Sequence, residues 1–134
     1  MLDELLHRVS HYTPRTLETD RRFPEAAVLV PITRSEEPEL VLTLRASGLS
    51  THGGEVAFPG GRRDPEDPDL IFTALREAKE EIGLPPGLVE VIGPLSPLIS
   101  LHGIKVTPYV GVIPDYVEYL SLIHISEPTR PLYI

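Results

Sequence analysis

Apolar positions recur along the chain at spacings that separate helix from strand. Leu2, Leu5, Leu6 and Val9 have helical spacing and predict a short N-terminal helix. Thr13 to Pro24 is polar and proline-containing and reads as a linker running over the surface. Ala26 to Ile32 predicts a strand, Ser35 to Pro38 a turn, and Leu40 to Arg45 an antiparallel return strand. Ala46 to Gly54 reads as a loop, and Glu55 to Phe58 as a short strand leading into a glycine loop at Pro59-Gly60-Gly61. Pro68 to Ile82 predicts one helix, which Pro85-Pro86-Gly87 stops. Leu88 to Ile92, Leu95 to Ser100 and Ile104 to Ile113 predict further strands. Strands around one central helix place the chain in the α/β class.

The central helix carries the chemistry. Asp67 is the expected N-cap, Pro68 the first helical residue, and Gly83 the residue just past the end. Its expected apolar stripe is Ile71, Leu75, Ala78 and Ile82. Glu77 lies about 200° around the helix from Leu75, so one face meets the core and another carries acid. Glu77, Glu80 and Glu81 are related by i, i+3 and i+4, which brings their side chains together. Clustered carboxylates repel one another unless a cation joins them, and hard oxygen ligands suit Mg2+ or Mn2+. Gly60 and Gly61 let the backbone approach a metal or a phosphate closely. The plainer reading is a solvated acidic face partly paired with Arg76 and Lys79.

Composition narrows the function classes. The 134 residues suffice for one domain, and the net charge of −8 argues against a nucleic-acid binder that relies on a basic surface. It does not argue against a phosphorylated small molecule, because a bound metal and a few local cations reverse the field in a cleft. There is no cysteine, so there is no disulfide framework, thiol nucleophile or zinc-thiolate site. No apolar run approaches the roughly 18 residues of a membrane span, and residues 1–9 do not read as a signal peptide. A cytoplasmic enzyme without membrane or nucleic-acid partners is the expectation.

From Gly61 to Leu84 the chain resembles the Nudix box, G-x5-E-x7-R-E-U-x-E-E-x-G-U with U a bulky apolar residue. The second half, Arg76-Glu77-Ala78-Lys79-Glu80-Glu81-Ile82-Gly83-Leu84, follows the pattern, with a small residue, Ala78, at one U position. The first half is one residue longer, and Asp67 stands where the early Glu would be. Upstream, Leu42-Thr43-Leu44-Arg45, Gly54 and Phe58-Pro59-Gly60-Gly61 are similar to the signature of the coenzyme A diphosphatase subfamily, with Ser50 replacing its second Arg. Val106-Thr107-Pro108-Tyr109-Val110 resembles the same subfamily, and its members usually share the longer first half.

That resemblance implies a Nudix α/β/α sandwich with a mixed sheet. It implies metal-dependent hydrolysis of the pyrophosphate bond of coenzyme A or acyl-CoA, giving adenosine 3',5'-bisphosphate and 4'-phosphopantetheine. Glu77 and Glu81 would be metal ligands, Glu80 would share a metal or hold a bound water, and the Gly61 carbonyl would be a further ligand. Arg76 would pair with a box carboxylate and set its rotamer. The general base would be Glu77 or a residue from a later loop. Arg45 is the first choice for a phosphate contact. His52 is either a ligand group or a solvated loop residue. Arg62 and Arg63 either meet phosphate or pair with Asp64 and Glu66, and His102 and Lys105 are weaker candidates. Phe58 and Tyr109 read as structural. Two other functions stay open: a Nudix diphosphatase acting on ADP-ribose, NADH or nucleoside triphosphates, and a non-catalytic Nudix-like binding module.

The run Leu120 to Arg130 resembles a translated sequencing adapter. The expected division is therefore 1–24 as helix and linker, 25–119 as the Nudix domain, and 120–134 as a non-native tail. The family's final strand and second long helix would then be missing, which would leave one sheet face exposed.

Overall fold

The computed structural model describes residues 2–17, 22–45 and 55–115. The pair at the centre is β1 (Glu25–Arg34) and β7 (Lys105–Pro114), which run parallel in unbroken register from Glu25 beside Lys105 to Arg34 beside Pro114. Strands buried on both faces read as continuous apolar runs rather than alternating ones, and both do. Parallel neighbours need a crossover connection, and that connection contains α2 (Leu70–Ile82). β4 (Gly60–Arg62) joins the free side of β1 antiparallel. β5 (Glu90–Pro94) and β6 (Leu98–Ile99) both lie antiparallel to β7. The sheet is therefore mixed, in the order β4-β1-β7-β5 with β6 also on β7. A separate antiparallel pair joins β2 (Thr43–Arg45) to β3 (Glu55–Ala57).

Helix α2 covers the sheet face that carries Ala27, Leu29 and Ile113. These side chains form the core with Ala74, Ala78 and Leu84, and Leu75, Ile82 and Tyr109 pack at its margin. Helix α1 (Leu2–Ser10) lies on the other face, over β5, where a Cβ on Gly93 would face the Val9 carbonyl at 3.8 Å. On that face Ile32, Val110 and Val112 are buried, whereas Val28, Val30, Val106 and Pro108 are half-buried. The expected uncovered face is thus partly covered. Residues 116–134, which include the expected foreign tail at 120–134, lie outside the described residues.

Three expectations need correction. The cap of α2 is Asp69, whose carboxylate accepts the Phe72 N–H at 2.8 Å, and the helix begins at Leu70 rather than Pro68. Asp67 is used elsewhere, as described below. The buried face of α2 is Thr73, Ala74 and Ala78, while Ile71 is exposed and Leu75 and Ile82 are half-buried. Small residues let the helix sit close to β1, and a stripe chosen by hydrophobic bulk overlooks them. The return strand expected from Leu40 is a brief touch. Val41 N–H meets the Pro31 carbonyl and Leu40 bridges Ile32, but Pro31 has no N–H to extend the ladder, and β2 pairs β3 instead. At the other end of α2 the expected stop holds: Gly83 adopts the left-handed conformation at φ 70°, and its N–H closes on the Lys79 carbonyl at 3.0 Å.

Asp69→Ala should lower the unfolding free energy by about 1 kcal/mol in urea titration. An unchanged midpoint would mean that Asp69 does not cap α2.

Candidate functional site

The site begins with the hydrogen-bond phase of an edge strand. Leu29 N–H donates to the Pro59 carbonyl at 2.8 Å and Arg63 N–H to the Glu25 carbonyl at 2.9 Å. Ala27 and Gly61, midway between them, are therefore a hydrogen-bonded pair, so the N–H and carbonyl of Gly61 face β1. Those of Gly60 and Arg62 face away from the sheet, toward the polar side of α2. Gly60 N–H donates to Glu81 Oε2 at 3.3 Å, and the Arg62 carbonyl accepts from Arg76 Nη2 at 3.2 Å. The segment expected as a glycine loop is thus a strand that lends its outer edge to the helix.

Glu77 occupies the space where a side chain at residue 61 would stand. A Cβ built on Gly61 would lie 2.5 Å from the Glu77 carboxyl carbon and 2.6 Å and 2.8 Å from its oxygens. No residue with a Cβ fits there without moving Glu77 or the strand.

Arg76 organises the carboxylates. Its Nε and Nη2 grip Asp67 in a two-point contact at 3.1 Å and 3.0 Å. Asp67, which is buried, also accepts the Asp64 N–H at 2.9 Å and the Thr73 hydroxyl at 2.8 Å. The Arg76 hydrogen bond leads in holding the Asp67 carboxyl down at about 2, against a burial effect that would raise it. The Arg76 guanidinium is in turn stabilised in its charged form, first by Asp67. Asp67 is therefore the buried counterion of Arg76 rather than a helix cap. The remaining Arg76 nitrogen, Nη1, reaches Glu77 Oε1 at 3.0 Å and Glu80 Oε1 at 3.4 Å. The pairing expected of Arg76 with box carboxylates is present, as a lesser part of a larger cluster.

Of the three box carboxylates, the structure brings Glu77 and Glu81 to adjacent glycines and leaves Glu80 exposed beside Arg76. Among the described residues no three His, Cys, Asp or Glu side chains already converge as a metal site. The donor chemistry nevertheless fits a hard divalent cation, since two carboxylates flank a side-chain-free edge of backbone. The Gly61 carbonyl, expected as a ligand, faces β1, whereas the Gly60 carbonyl faces outward on the side that Glu81 reaches.

The other candidates disperse. Arg45 lies in β2 opposite Glu55, and its side chain is outside the described part, as are His52, Ser50 and Gly54 altogether. Arg63 donates to the carbonyls of Asp67 at 3.0 Å and Pro68 at 3.2 Å rather than to Glu66. Lys105 stands 3.8 Å from Glu25, and His102 is an exposed turn residue. Phe58 and Tyr109 are half-buried, and burial, followed by the charges of Asp69 and Glu25, raises the Tyr109 hydroxyl pKa. Sequence reading missed the anchoring role of Asp67, whose signal was a second acid, Asp69, standing better placed to cap.

Gly61→Ala should displace the Glu77 carboxylate, whose flexible end is what the new Cβ meets, and so weaken Mn2+ binding with little loss of stability in urea unfolding. Unchanged Mn2+ affinity in Gly61→Ala would place the Glu77 carboxylate elsewhere. For Asp67 the folded pKa, about 2, lies below its ordinary 3.8, so its stabilisation is present above pH 3.8 and lost as pH falls through 2. Acid titration of Asp67→Asn should show a flatter stability profile below pH 4 and a lower plateau above it. Parallel profiles for the two proteins would contradict the buried ion pair.

The NUDIX domain family matches residues 23–130 of the chain. A protein named as an uncharacterized Nudix hydrolase, NudL, from Enterobacter sp. (strain 638) is 47% identical over 126 residues, 94% of this chain and 64% of that protein. Its counterpart from Cronobacter sakazakii is 48% identical over the same shares. The chain thus spans somewhat less than two thirds of the length of these relatives. Among solved structures, C. elegans Ap4A hydrolase has a TM-score of 0.57 at 22% identity, covering 70% of each chain. The NUDIX domain of Shewanella oneidensis NrtR complexed with ADP ribose has a TM-score of 0.54 at 18% identity, covering 81% of this chain and 70% of that one. At these identities the solved structures bear on the fold, and the mixed sheet between α1 and α2 is a Nudix α/β/α sandwich. With the family matched over most of its length and the box helix set against the glycine edge, the chain belongs to the Nudix family.

Proposed function

We propose that this chain is the catalytic part of a divalent-metal-dependent diphosphatase that cleaves the pyrophosphate linkage of coenzyme A or acyl-CoA. The products are adenosine 3',5'-bisphosphate and a 4'-phosphopantetheine species. The observation that carries the hydrolase reading is the placement of Glu77 and Glu81 at Gly61 and Gly60, with Arg76 fixing Glu77. The coenzyme reading adds the upstream resemblance around Arg45 and Phe58-Pro59-Gly60-Gly61.

Glu77 and Glu81 would hold Mg2+ or Mn2+, with Glu80 and the outward carbonyl of Gly60 beside them. Such an ion neutralises diphosphate charge and lowers the pKa of attacking water. The protein's own part is positional. Arg76 keeps Glu77 in one rotamer, and Asp67 keeps Arg76 in place. Gly60 N–H orients Glu81. Arg45 is the proposed phosphate contact, with His52 as a further ligand group. Among the described residues no helix is long and apolar enough to cross a membrane.

The alternative is a Nudix diphosphatase acting on ADP-ribose, NADH or nucleoside triphosphates, the first of these suggested by the ADP-ribose-bound neighbour. Against a non-catalytic binding module stand the three box acids, Glu77, Glu80 and Glu81, kept together on one helix.

Incubation with CoA and Mg2+ should release adenosine 3',5'-bisphosphate, and Glu77→Gln or Glu81→Gln should lower kcat at least about a hundredfold. Arg76→Lys should lower it roughly ten- to a hundredfold, because an ammonium cannot span Asp67 and Glu77 together. Faster turnover of ADP-ribose than of CoA would reject the coenzyme reading. Metal-independent turnover, or unchanged kcat in both glutamine variants, would reject the hydrolase mechanism.

A further inference from the structure

Beside the site, where β1 begins and β4 ends, lies an open depression of about 450 Å3. Phe23, Pro24 and Pro65 form its apolar walls, and Arg62 and Arg63 its cationic side. Two acids also line it, each within ion-pair distance of a cation, although Asp64 shares Arg76 with three other carboxylates. Asp64 stands 3.4 Å from Arg76 Nη2. Glu25 lies between Arg63 Nη1 and Lys105 Nζ, 3.8 Å from each. Arg63 spends its hydrogen bonds on the carbonyls of Asp67 and Pro68. Arg62 is different. It is exposed, and among the described residues no carboxylate lies within ion-pair distance of its guanidinium. An uncompensated arginine is unusual ground in a chain with a net charge of −8.

Its position relates it to the site. Arg62 follows directly on Gly61, and its carbonyl is held by the same Arg76 that fixes Glu77. Along β4 the side-chain direction alternates, so residue 61 faces Glu77 and Arg62 turns to the opposite side, toward the depression. Arg62 therefore lies one residue from the glycine that Glu77 packs against, on the other side of the edge strand.

We propose that this depression binds a phosphate monoester of the substrate outside the scissile linkage, with Arg62 as its charged partner and the Phe23, Pro24 and Pro65 wall against the adjoining sugar or base. The proposal rests on the diphosphatase reading and narrows it to nucleotides phosphorylated a second time. Guanidinium matches phosphate in charge and in paired hydrogen-bond geometry.

The test compares CoA with 3'-dephospho-CoA, which differ only in that monoester, in wild type, Arg62→Ala and Arg62→Lys. Thermal melts of each variant exclude unfolding. The kcat/KM ratio of CoA over 3'-dephospho-CoA should exceed one in wild type. It should fall about tenfold in Arg62→Ala, mainly through KM, and be partly restored in Arg62→Lys. Calorimetric binding of adenosine 3',5'-bisphosphate against AMP should show the same loss of preference. If CoA is not turned over but Arg62→Ala still abolishes the bisphosphate preference, the coenzyme reading fails and the subsite stands. If wild type binds the bisphosphate and AMP alike, or the substitution changes neither ratio, the subsite is wrong.

Discussion

One guanidinium stands among four carboxylates, and the site depends on it. Arg76, with about a fifth of its side chain exposed, touches Asp67, Asp64, Glu77 and Glu80 as well as the Arg62 carbonyl. Those partners belong to the loop before α2, to α2 itself and to the outer edge of β4. Without the cation, Asp67 would be a buried charge with no counterion, a far larger penalty than the loss of an exposed pair. Glu77 and Glu80 would also repel one another across one helical turn. The same contact thus closes the loop, seats the helix and sets the rotamer of an acid.

Close packing makes that arrangement possible. Ala27, Ala74 and Ala78 are fully buried and small, which lets α2 pack closely on β1. The polar side of the helix meets β4, where consecutive glycines leave room for a carboxylate against the main chain. The antiparallel register then decides which backbone groups face outward, and Gly60 rather than Gly61 presents its N–H to Glu81. A one-residue slip would exchange the two.

Much of this was legible in the chain. The β-branched run at 26–32 and the apolar run at 104–113 became the central strands, and Gly83 ended the helix in the left-handed conformation that its position suggested. The box acids and Arg76 were placed on the correct side of α2. What the residues did not reveal depended on tertiary distance. Asp67 and Asp69 both satisfy the pattern of a cap before an apolar run, and only the position of Arg76 separates their roles. Ile71 looked buried because bulk dominates periodicity, while the sheet required alanine. Gly60-Gly61 reads locally as a turn, and pairing with β1 makes it a strand. Arg62 attracted equal attention with Arg63 in the sequence. It stands apart only once the neighbouring acids are seen with their own partners.

The central claim is that Glu77 and Glu81 are held at the glycine edge as a divalent-cation site. Titration of Mn2+ into the protein, followed by loss of the free-ion electron paramagnetic resonance signal, tests it without reference to any substrate. The account predicts saturable binding that is lost when Glu77 and Glu81 are both replaced by glutamine in a protein that still melts cooperatively. Unchanged Mn2+ affinity in that double variant would contradict it.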